Sequence, residues 1–147
     1  MLKGIDPLLG PDLLHLIAAM GHGDELVIAD ANFPATSVAR RLVRCDGVNV
    51  TQALAAILTL YPLDQYVPKP AMVMAVVGDP SATPDTYADF SRAIASAEGK
   101  PVDLERIERF AFYERARQAY GVVATSDTRL YGNIIIAKGV VAPSLNK

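Results

Sequence analysis

The sequence has few of the residues that build disulfide, metal and nucleic-acid sites. It contains one cysteine, Cys45, two histidines and no tryptophan among 147 residues. A single cysteine excludes a disulfide within the chain and a cysteine-based zinc cluster. The formal charge is −2 at pH 7, and no run of lysine and arginine occurs. Nucleic acid is therefore not expected as a partner.

Long apolar runs are also missing, although the composition is apolar. Hydrophobic residues make up 51% of the chain and the mean hydropathy is +0.22. No uninterrupted apolar stretch approaches the roughly 20 residues that a bilayer requires, so no membrane contact is expected. The surplus apolar surface is expected at subunit interfaces. The first residues lack the basic region and apolar core of a secretory signal, which predicts a cytoplasmic protein.

The short motifs of nucleotide-binding, esterase and metalloprotease sites are absent. There is no GxxxxGK[ST], GxSxG or HExxH sequence. The segment Gly21-His22-Gly23 resembles half of a dinucleotide fingerprint, but it lacks the third glycine and leads from a helix into a strand. A glycine break separates the two histidines, so a histidine-rich metal site is not expected, whereas a carboxylate site stays open.

Apolar runs alternate with amphipathic segments along the chain. The pattern predicts strands at 26–29, 71–77, 122–125 and 133–137, with 107–110 ambiguous. It predicts helices at 11–20, 51–61, 84–97 and 112–120, the last capped by Gly121, and one or two helical turns at 37–42. No linker divides these segments. The sequence therefore predicts one α/β domain over residues 1–147 with a largely parallel sheet.

A histidine, His22, lies between two glycines directly before the first strand. Imidazole titrates nearest neutrality and can give and take a proton within one turnover, and the glycines leave room for a ligand. The same position suits a histidine that binds the last carbonyls of the preceding helix, and the pattern leaves both interpretations open. His15 points away from the apolar face of its helix and is expected at the surface or an interface.

Polar groups also stand at the ends of other elements. Asp30 follows the first strand and suits either two vicinal hydroxyls of a sugar or an ordinary Asx turn. Arg109 lies between Ile107 and Phe110 in the sequence and must reach solvent, an ion pair or an anion. The segment Tyr131-Gly132-Asn133 offers a ring, a phenol and an amide to a sugar, but it also fits a simple turn. Tyr113 and Tyr120 are expected in the core.

Four separated segments form an ordered set: GHGDE at 21–25, DANFPA at 30–35, RFAFYERA at 109–116 and YGNI at 131–134. Together they resemble the L-fucose mutarotases, which share a superfamily with the D-ribose pyranases. The resemblance covers nearly the whole chain, in the same order and with similar spacing. One difference is that Asn32 and Thr36 stand where related enzymes often carry histidines.

The resemblance implies a doubly wound fold and an enzyme that interconverts the α and β anomers of a free sugar with no cofactor and no metal. It implies self-association into a ring, typically a decamer. His22 is then expected as the proton donor, with Tyr131 as a second proton carrier. Asp30, Arg109 and Tyr131-Gly132-Asn133 are expected to bind the sugar. L-fucose is the expected substrate, with ribose pyranase activity or a non-catalytic sugar-binding module as alternatives.

Overall fold

Helices and strands alternate along the chain. A computed structural model describes residues 1–143, so residues 144–147 of the predicted domain lie outside the described residues. The helices are α1 (Pro11–Ala19), α2 (Ala35–Val38), α3 (Val50–Leu58), α4 (Asp85–Glu98) and α5 (Arg109–Gln118). The strands are β1 (Glu25–Ala29), β2 (Leu42–Cys45), β3 (Ala71–Met74), β4 (Leu104–Ile107), β5 (Gly121–Thr125) and β6 (Ile134–Ala137). None of the helices in this described part is long and apolar enough to cross a bilayer.

The strands form one mixed sheet in the order β2-β5-β1-β6-β3-β4. Neighbours pair in parallel except at β6, which runs antiparallel to both β1 and β3. The connection from β5 to β6, residues 126–133, is shorter than the dozen or so residues of a parallel crossover, so β6 returns in the opposite direction. The prediction of an α/β fold with a mostly parallel sheet is confirmed.

Apolar side chains bury both faces of this sheet. Leu26 and Ile28 of β1 join a core cluster with α1, α3 and α4, whereas Val27 and Ala29 join a second cluster with α2 and α5. A strand that is covered on both faces has a continuous apolar sequence, which explains why β1 was evident from the sequence. Helices on both faces are the doubly wound arrangement that the resemblance implied.

The predictions were wrong near the edges of the sheet. The helical turn predicted within 37–42 lies earlier, at Ala35–Val38 as α2, and strand β2 begins at Leu42. Both edge strands, β2 and β4, have side chains that are only partly buried, so they lack the apolar run of a central strand. The ambiguous strand at 107–110 ends at Ile107, and Arg109 already belongs to α5.

Several helices and strands begin or end at other residues than predicted, and local capping explains two of these differences. Glu108 caps α5 by accepting from the N–H groups of Phe110 and Ala111, so this helix begins at Arg109 rather than at 112. Gly121 is the first residue of β5 and not a helix cap. The helix predicted from 51 begins at Val50, behind a capping box formed by Asn49 and Gln52. The strand predicted to reach 77 ends at Met74.

Candidate active site

A cavity of about 300 Å³ opens at the carboxyl end of β1. Four residues that the sequence assigned to sugar binding line it: Asp30, Arg109, Tyr131 and Asn133. Apolar and aromatic side chains complete the wall, among them Phe33, Met74, Val77 and Tyr113. The volume lies at the small end of the range for ligand sites, and a few polar groups set in an apolar wall are typical of them. This cavity suits one small polar molecule with an apolar side.

Asp30 anchors the segment that carries the other polar groups. Its Oδ2 accepts from the N–H of Gly132 at 3.2 Å and from Nδ2 of Asn133 at 3.0 Å, and its Oδ1 accepts from the N–H of Asn32 at 3.0 Å. Only 5% of the residue is exposed. Burial raises the pKa of Asp30, against the effect of these hydrogen bonds. Since three of about four acceptor positions are used by the protein, Asp30 can accept from at most about one sugar hydroxyl.

Gly132 lets the segment 131–133 approach Asp30 closely. A Cβ at Gly132 would lie 3.2 Å from Cβ of Asp30 and 3.2 Å from the carbonyl oxygen of Arg129. The backbone N–H of Asp30 also donates to Oδ1 of Asn133 at 2.9 Å, so the two side chains bind each other in both directions. The amide of Asn133 keeps its second N–H for a ligand.

Tyr131 combines a strained backbone conformation with a hydroxyl group that can still donate a hydrogen bond. Its φ of 57° is positive, an unfavourable value for a residue with a side chain, and such strain concentrates at functional sites. The Tyr131 hydroxyl accepts from the N–H of Val77 at 3.0 Å. Because the oxygen is the acceptor in that bond, its own O–H is left to donate to a ligand.

Arg109 brings a positive charge to the same cavity. It is the first residue of α5, and its guanidinium carbon lies 4.6 Å from the ring centroid of Phe110. Its Nε is buried and has no hydrogen-bond partner among residues 1–143. A buried donor without a partner costs about 1–3 kcal/mol, so a ligand oxygen that accepts from this N–H would recover that energy.

His22 lies at the opposite end of β1, in the turn between α1 and this strand. A strand rises about 3.3 Å per residue, so the five residues of β1 hold its two ends roughly 15 Å apart. The structure therefore brings Asp30, Arg109 and the segment 131–133 together, whereas His22 of the same chain does not line their cavity.

A buried carboxylate partners the His22 ring. Nε2 of His22 lies 3.1 Å from Oδ1 of Asp64, and the ring of Tyr66 packs against the imidazole with centroids 5.5 Å apart. The N–H of Tyr66 also donates to Asp64 Oδ1 at 2.9 Å. This backbone bond holds the pKa of Asp64 below its usual value, with a further lowering by His22, although burial opposes both. An ionised carboxylate can only accept, so Nε2 of His22 carries a proton in this pair.

Both segments of this pair are fixed to the end of β6. The N–H of Asp64 donates to the carbonyl of Ala137 at 3.0 Å, and the N–H of Gly23 donates to the next carbonyl, that of Lys138, at 2.8 Å. A Cβ at Gly139 would lie only 2.3 Å from the carbonyl oxygen of the residue before Asp64. Glycine at this position therefore permits the close approach that places the carboxylate beside the imidazole.

Tyr113 and Asp64 belong to these sites but were not predicted from the sequence. Tyr113, which was expected in the core, is only half-buried, lines the cavity and packs against Phe33 with ring centroids 5.6 Å apart. Its neighbour Phe112 is the fully buried one, because successive helical residues differ by about 100° in direction. Asp64 lies in a loop without periodicity, and its only signal was being the one acidic residue between Leu60 and Pro70.

The third buried aspartate of the described chain belongs to an ion-pair network. Oδ2 of Asp127 and Oδ2 of Asp89 each accept from Arg129 at 2.7 Å. Burial raises the pKa of Asp127, but the bonds from Arg129 and from the N–H of Val50 together hold it below the usual value. Within residues 1–143, no three or more His, Cys, Asp or Glu side chains are grouped so that they could hold a metal ion.

The fold and the cavity define an α/β protein with a small-molecule site at one edge of its sheet, and the comparisons specify its family. The model of the RbsD / FucU transport protein family matches residues 3–141. The chain belongs to this family. The L-fucose mutarotase of Actinobacillus pleuropneumoniae serotype 5b (strain L20) is 50% identical over 141 residues, which cover 95% of this chain and 97% of that relative. The resemblance found in the sequence motifs is confirmed.

Solved structures agree with this assignment. The fucose mutarotase from Streptococcus pneumoniae, in complex with L-fucose, matches with a TM-score of 0.89 and 44% identity, over 96% of this chain and 100% of the other. RbsD of Bacillus subtilis, complexed with D-ribose, matches with a TM-score of 0.76 over 97% of this chain and 100% of the other. Its identity is 18%, so that second likeness concerns the fold alone.

Proposed function

We propose that this protein is an L-fucose mutarotase, an isomerase that interconverts the α and β anomers of free L-fucose by opening and closing the pyranose ring. One observation carries the proposal: the residues that the motifs assigned to sugar binding, far apart in sequence, line one cavity of about 300 Å³. The relatives that match almost the whole chain bear the same name. A cytoplasmic location stays a prediction of the sequence.

The cavity wall favours L-fucose over D-ribose. L-fucose is a 6-deoxy sugar, so one end of the molecule is a methyl group, whereas ribose has no such group. Phe33, Met74 and Val77 give the cavity an apolar side that a methyl group can occupy. Tyr131, Asn133 and Arg109 present N–H and O–H donors to the ring oxygen and hydroxyls.

Ring opening needs a proton on the ring oxygen and the loss of one from the anomeric hydroxyl, and closure on the other face needs the reverse. A group that titrates near neutrality can do both, and such acid–base help is worth about 10²–10⁴-fold. We assign this exchange to His22, with the free O–H of Tyr131 as second proton carrier. Asn133, Arg109 and the remaining acceptor position of Asp30 hold the sugar.

The position of His22 requires that a second copy of the chain complete the site. Exposed apolar side chains border the cavity, namely Val77 at 54%, Phe110 at 65% and Leu130 at 72% exposure. At the other end of the sheet, Tyr66 packs on His22 and is 75% exposed. Two different apolar surfaces at opposite ends make a head-to-tail contact, which generates a ring when the rotation closes. We therefore propose a ring in which His22 of one copy reaches the cavity of the next, with ten copies as the expected number.

Anomer exchange measured by saturation-transfer NMR tests the function. We expect catalytic amounts of the protein to accelerate exchange between the two L-fucose pyranose anomers much more than exchange between ribose pyranose and furanose. Faster exchange of D-ribose would instead support the ribose pyranase alternative. Saturable binding of L-fucose without accelerated exchange would support the non-catalytic module.

Hybrid rings test the shared site. His22→Ala and Arg109→Ala chains, each nearly inactive alone, are co-expressed with different tags and purified through both. If each site takes His22 from one copy and Arg109 from the next, random mixing restores roughly one quarter of the sites. Hybrids as inactive as the two parent variants would contradict the shared site. Native mass spectrometry of the unmodified protein separately gives the number of copies in the assembly.

A further inference from the structure

We propose that Asp64 is a positioning residue for His22: it holds the proton of the neutral imidazole on Nε2, so that Nδ1 is the nitrogen that exchanges a proton with the sugar. This inference rests on the proposed function, because it assigns the reacting atom of the same histidine. It adds a residue that none of the sequence motifs contained.

The geometry of the His22–Asp64 pair fixes which ring nitrogen carries the proton. Oδ1 of Asp64 lies 3.1 Å from Nε2 of His22, and no hydrogen bond to Nδ1 is found within residues 1–143. A carboxylate accepts and does not donate, so the nitrogen that faces it must carry the hydrogen. In a neutral imidazole the other nitrogen then has the free lone pair, and a proton can only be taken up there.

His22 and Asp64 differ strongly in their exposure to solvent. The side chain of His22 is 46% exposed, whereas that of Asp64 is 5% exposed. Asp64 therefore lies behind the ring, where a sugar could not reach it while it bonds to His22. A buried acid that orients an exposed imidazole matches the division of roles in catalytic triads, where the acid fixes the tautomer and another group meets the substrate.

The protein holds Asp64 in place from several sides. The N–H of Tyr66 binds the same carboxylate oxygen at 2.9 Å, and the backbone N–H of Asp64 binds the carbonyl of Ala137. The backbone at Gly139 leaves no space for a side chain against this loop. A group held by the sheet in this way limits the orientations of the His22 ring and lowers the cost of placing it for reaction.

NMR of the unmodified protein tests the tautomer directly. The chain has only two histidines, so ¹⁵N-histidine labelling gives two imidazole spin systems, and a His15→Gln variant assigns them. At a pH where the ring is neutral, we expect His22 to show a protonated Nε2 and an unprotonated Nδ1. A neutral His22 that carries its proton mainly on Nδ1 would overturn the proposal, and this measurement does not depend on whether any Asp64 variant folds.

Kinetics of Asp64→Asn test the positioning role. The asparagine keeps the size but loses the charge. One oxygen of Asp64 accepts from both the N–H of Tyr66 and Nε2 of His22, so the asparagine either keeps both bonds as a weaker, neutral acceptor or turns its NH₂ group towards the imidazole, which supports the other tautomer at the cost of the bond from Tyr66. We expect mixed tautomers of His22 and a kcat for L-fucose lower by roughly 10- to 100-fold, part of the 10²–10⁴ that acid–base help contributes, with KM little changed. Asp46→Asn, the same change at an exposed aspartate, is the control and should keep wild-type kinetics.

The outcomes separate the two proposals. If His22→Ala is inactive while Asp64→Asn keeps the wild-type kcat, the role of Asp64 is refuted and the proposed function stands. If folded His22→Ala keeps wild-type exchange, the assigned mechanism itself is wrong. If Asp64→Asn raises KM and leaves kcat unchanged, Asp64 serves sugar binding rather than the orientation of His22, which also refutes the proposal.

Discussion

Replacing His22 with alanine is expected to slow the exchange between L-fucose anomers by about 10²–10⁴-fold, the usual contribution of a positioned acid–base group. The substitution should leave the fold intact, because the side chain is 46% exposed and Asp64 keeps its hydrogen bond from the N–H of Tyr66. Changes at such positions usually alter the free energy of unfolding by less than about 0.5 kcal/mol. Saturation-transfer NMR of L-fucose measures the exchange, and thermal unfolding checks the fold.

The matched control is the only other histidine. His15 is exposed on α1 and lies outside the 300 Å³ cavity. His15→Ala should therefore catalyse exchange between the L-fucose anomers as fast as the wild type. The oligomeric mass of both variants must equal that of the wild type, because a variant that fails to assemble would also lose the proposed shared site. A folded, fully assembled His22→Ala protein with wild-type exchange would remove His22 from the mechanism.

The sequence predicted the residues that line the cavity through the family resemblance, and the sheet explains why two of them meet. Asp30 follows β1, and Asn133 precedes β6, which runs antiparallel to β1 with Ile28 opposite Ile134. The carboxyl end of one strand and the amino end of an antiparallel neighbour lie at the same edge of the sheet, so the two side chains had to meet.

The pairing of His22 with Asp64 could not be predicted in the same way. The two residues are 42 positions apart, and they meet through an irregular loop that pairs with the end of β6 around Leu63 and Lys138. A loop of this kind has no hydrophobic period that would place its side chains. The edge strand β2 was not predicted for a related reason. Its side chains form neither a continuous apolar run nor a clear alternation of apolar and polar residues.

The strand between His22 and Asp30 explains why the location of His22 could not be predicted from the motifs. The motifs gave His22 and Asp30 in one stretch of sequence, which invites a common site. They instead flank β1, and the strand between them is fully extended and buried in the centre of the sheet. Closeness in sequence across a strand means separation in space, and for this reason the proposed mechanism needs a second copy of the chain to bring the two groups to one sugar.

Replacing Asp30 with asparagine is expected to reduce both anomer exchange and stability, with the larger effect on exchange. The two carboxylate oxygens accept from donors on opposite sides, Asn32 on one and Gly132 with Asn133 on the other. An asparagine must turn its NH₂ group towards one of these sides, which leaves at least one N–H without an acceptor at a cost of about 1–3 kcal/mol. Burial disfavours the charge of Asp30, as its raised pKa shows, and the substitution relieves that cost. We therefore expect a net loss of about 1 kcal/mol in the free energy of unfolding.

The effect on exchange is expected to exceed the effect on stability because Asp30 holds the segment 131–133, to which we assign a proton carrier and a sugar-binding amide. The neutral amide is a weaker acceptor for Gly132 and Asn133 than the carboxylate, so the strained backbone of Tyr131 can relax and move its hydroxyl away from the N–H of Val77. A displacement of about 1 Å in a positioned group costs roughly 10²-fold in rate. Urea unfolding and L-fucose exchange of Asp30→Asn, measured beside Asp46→Asn, separate the two effects. An Asp30→Asn protein that exchanges L-fucose at the wild-type rate would show that the carboxylate neither binds the sugar nor sets the position of Tyr131.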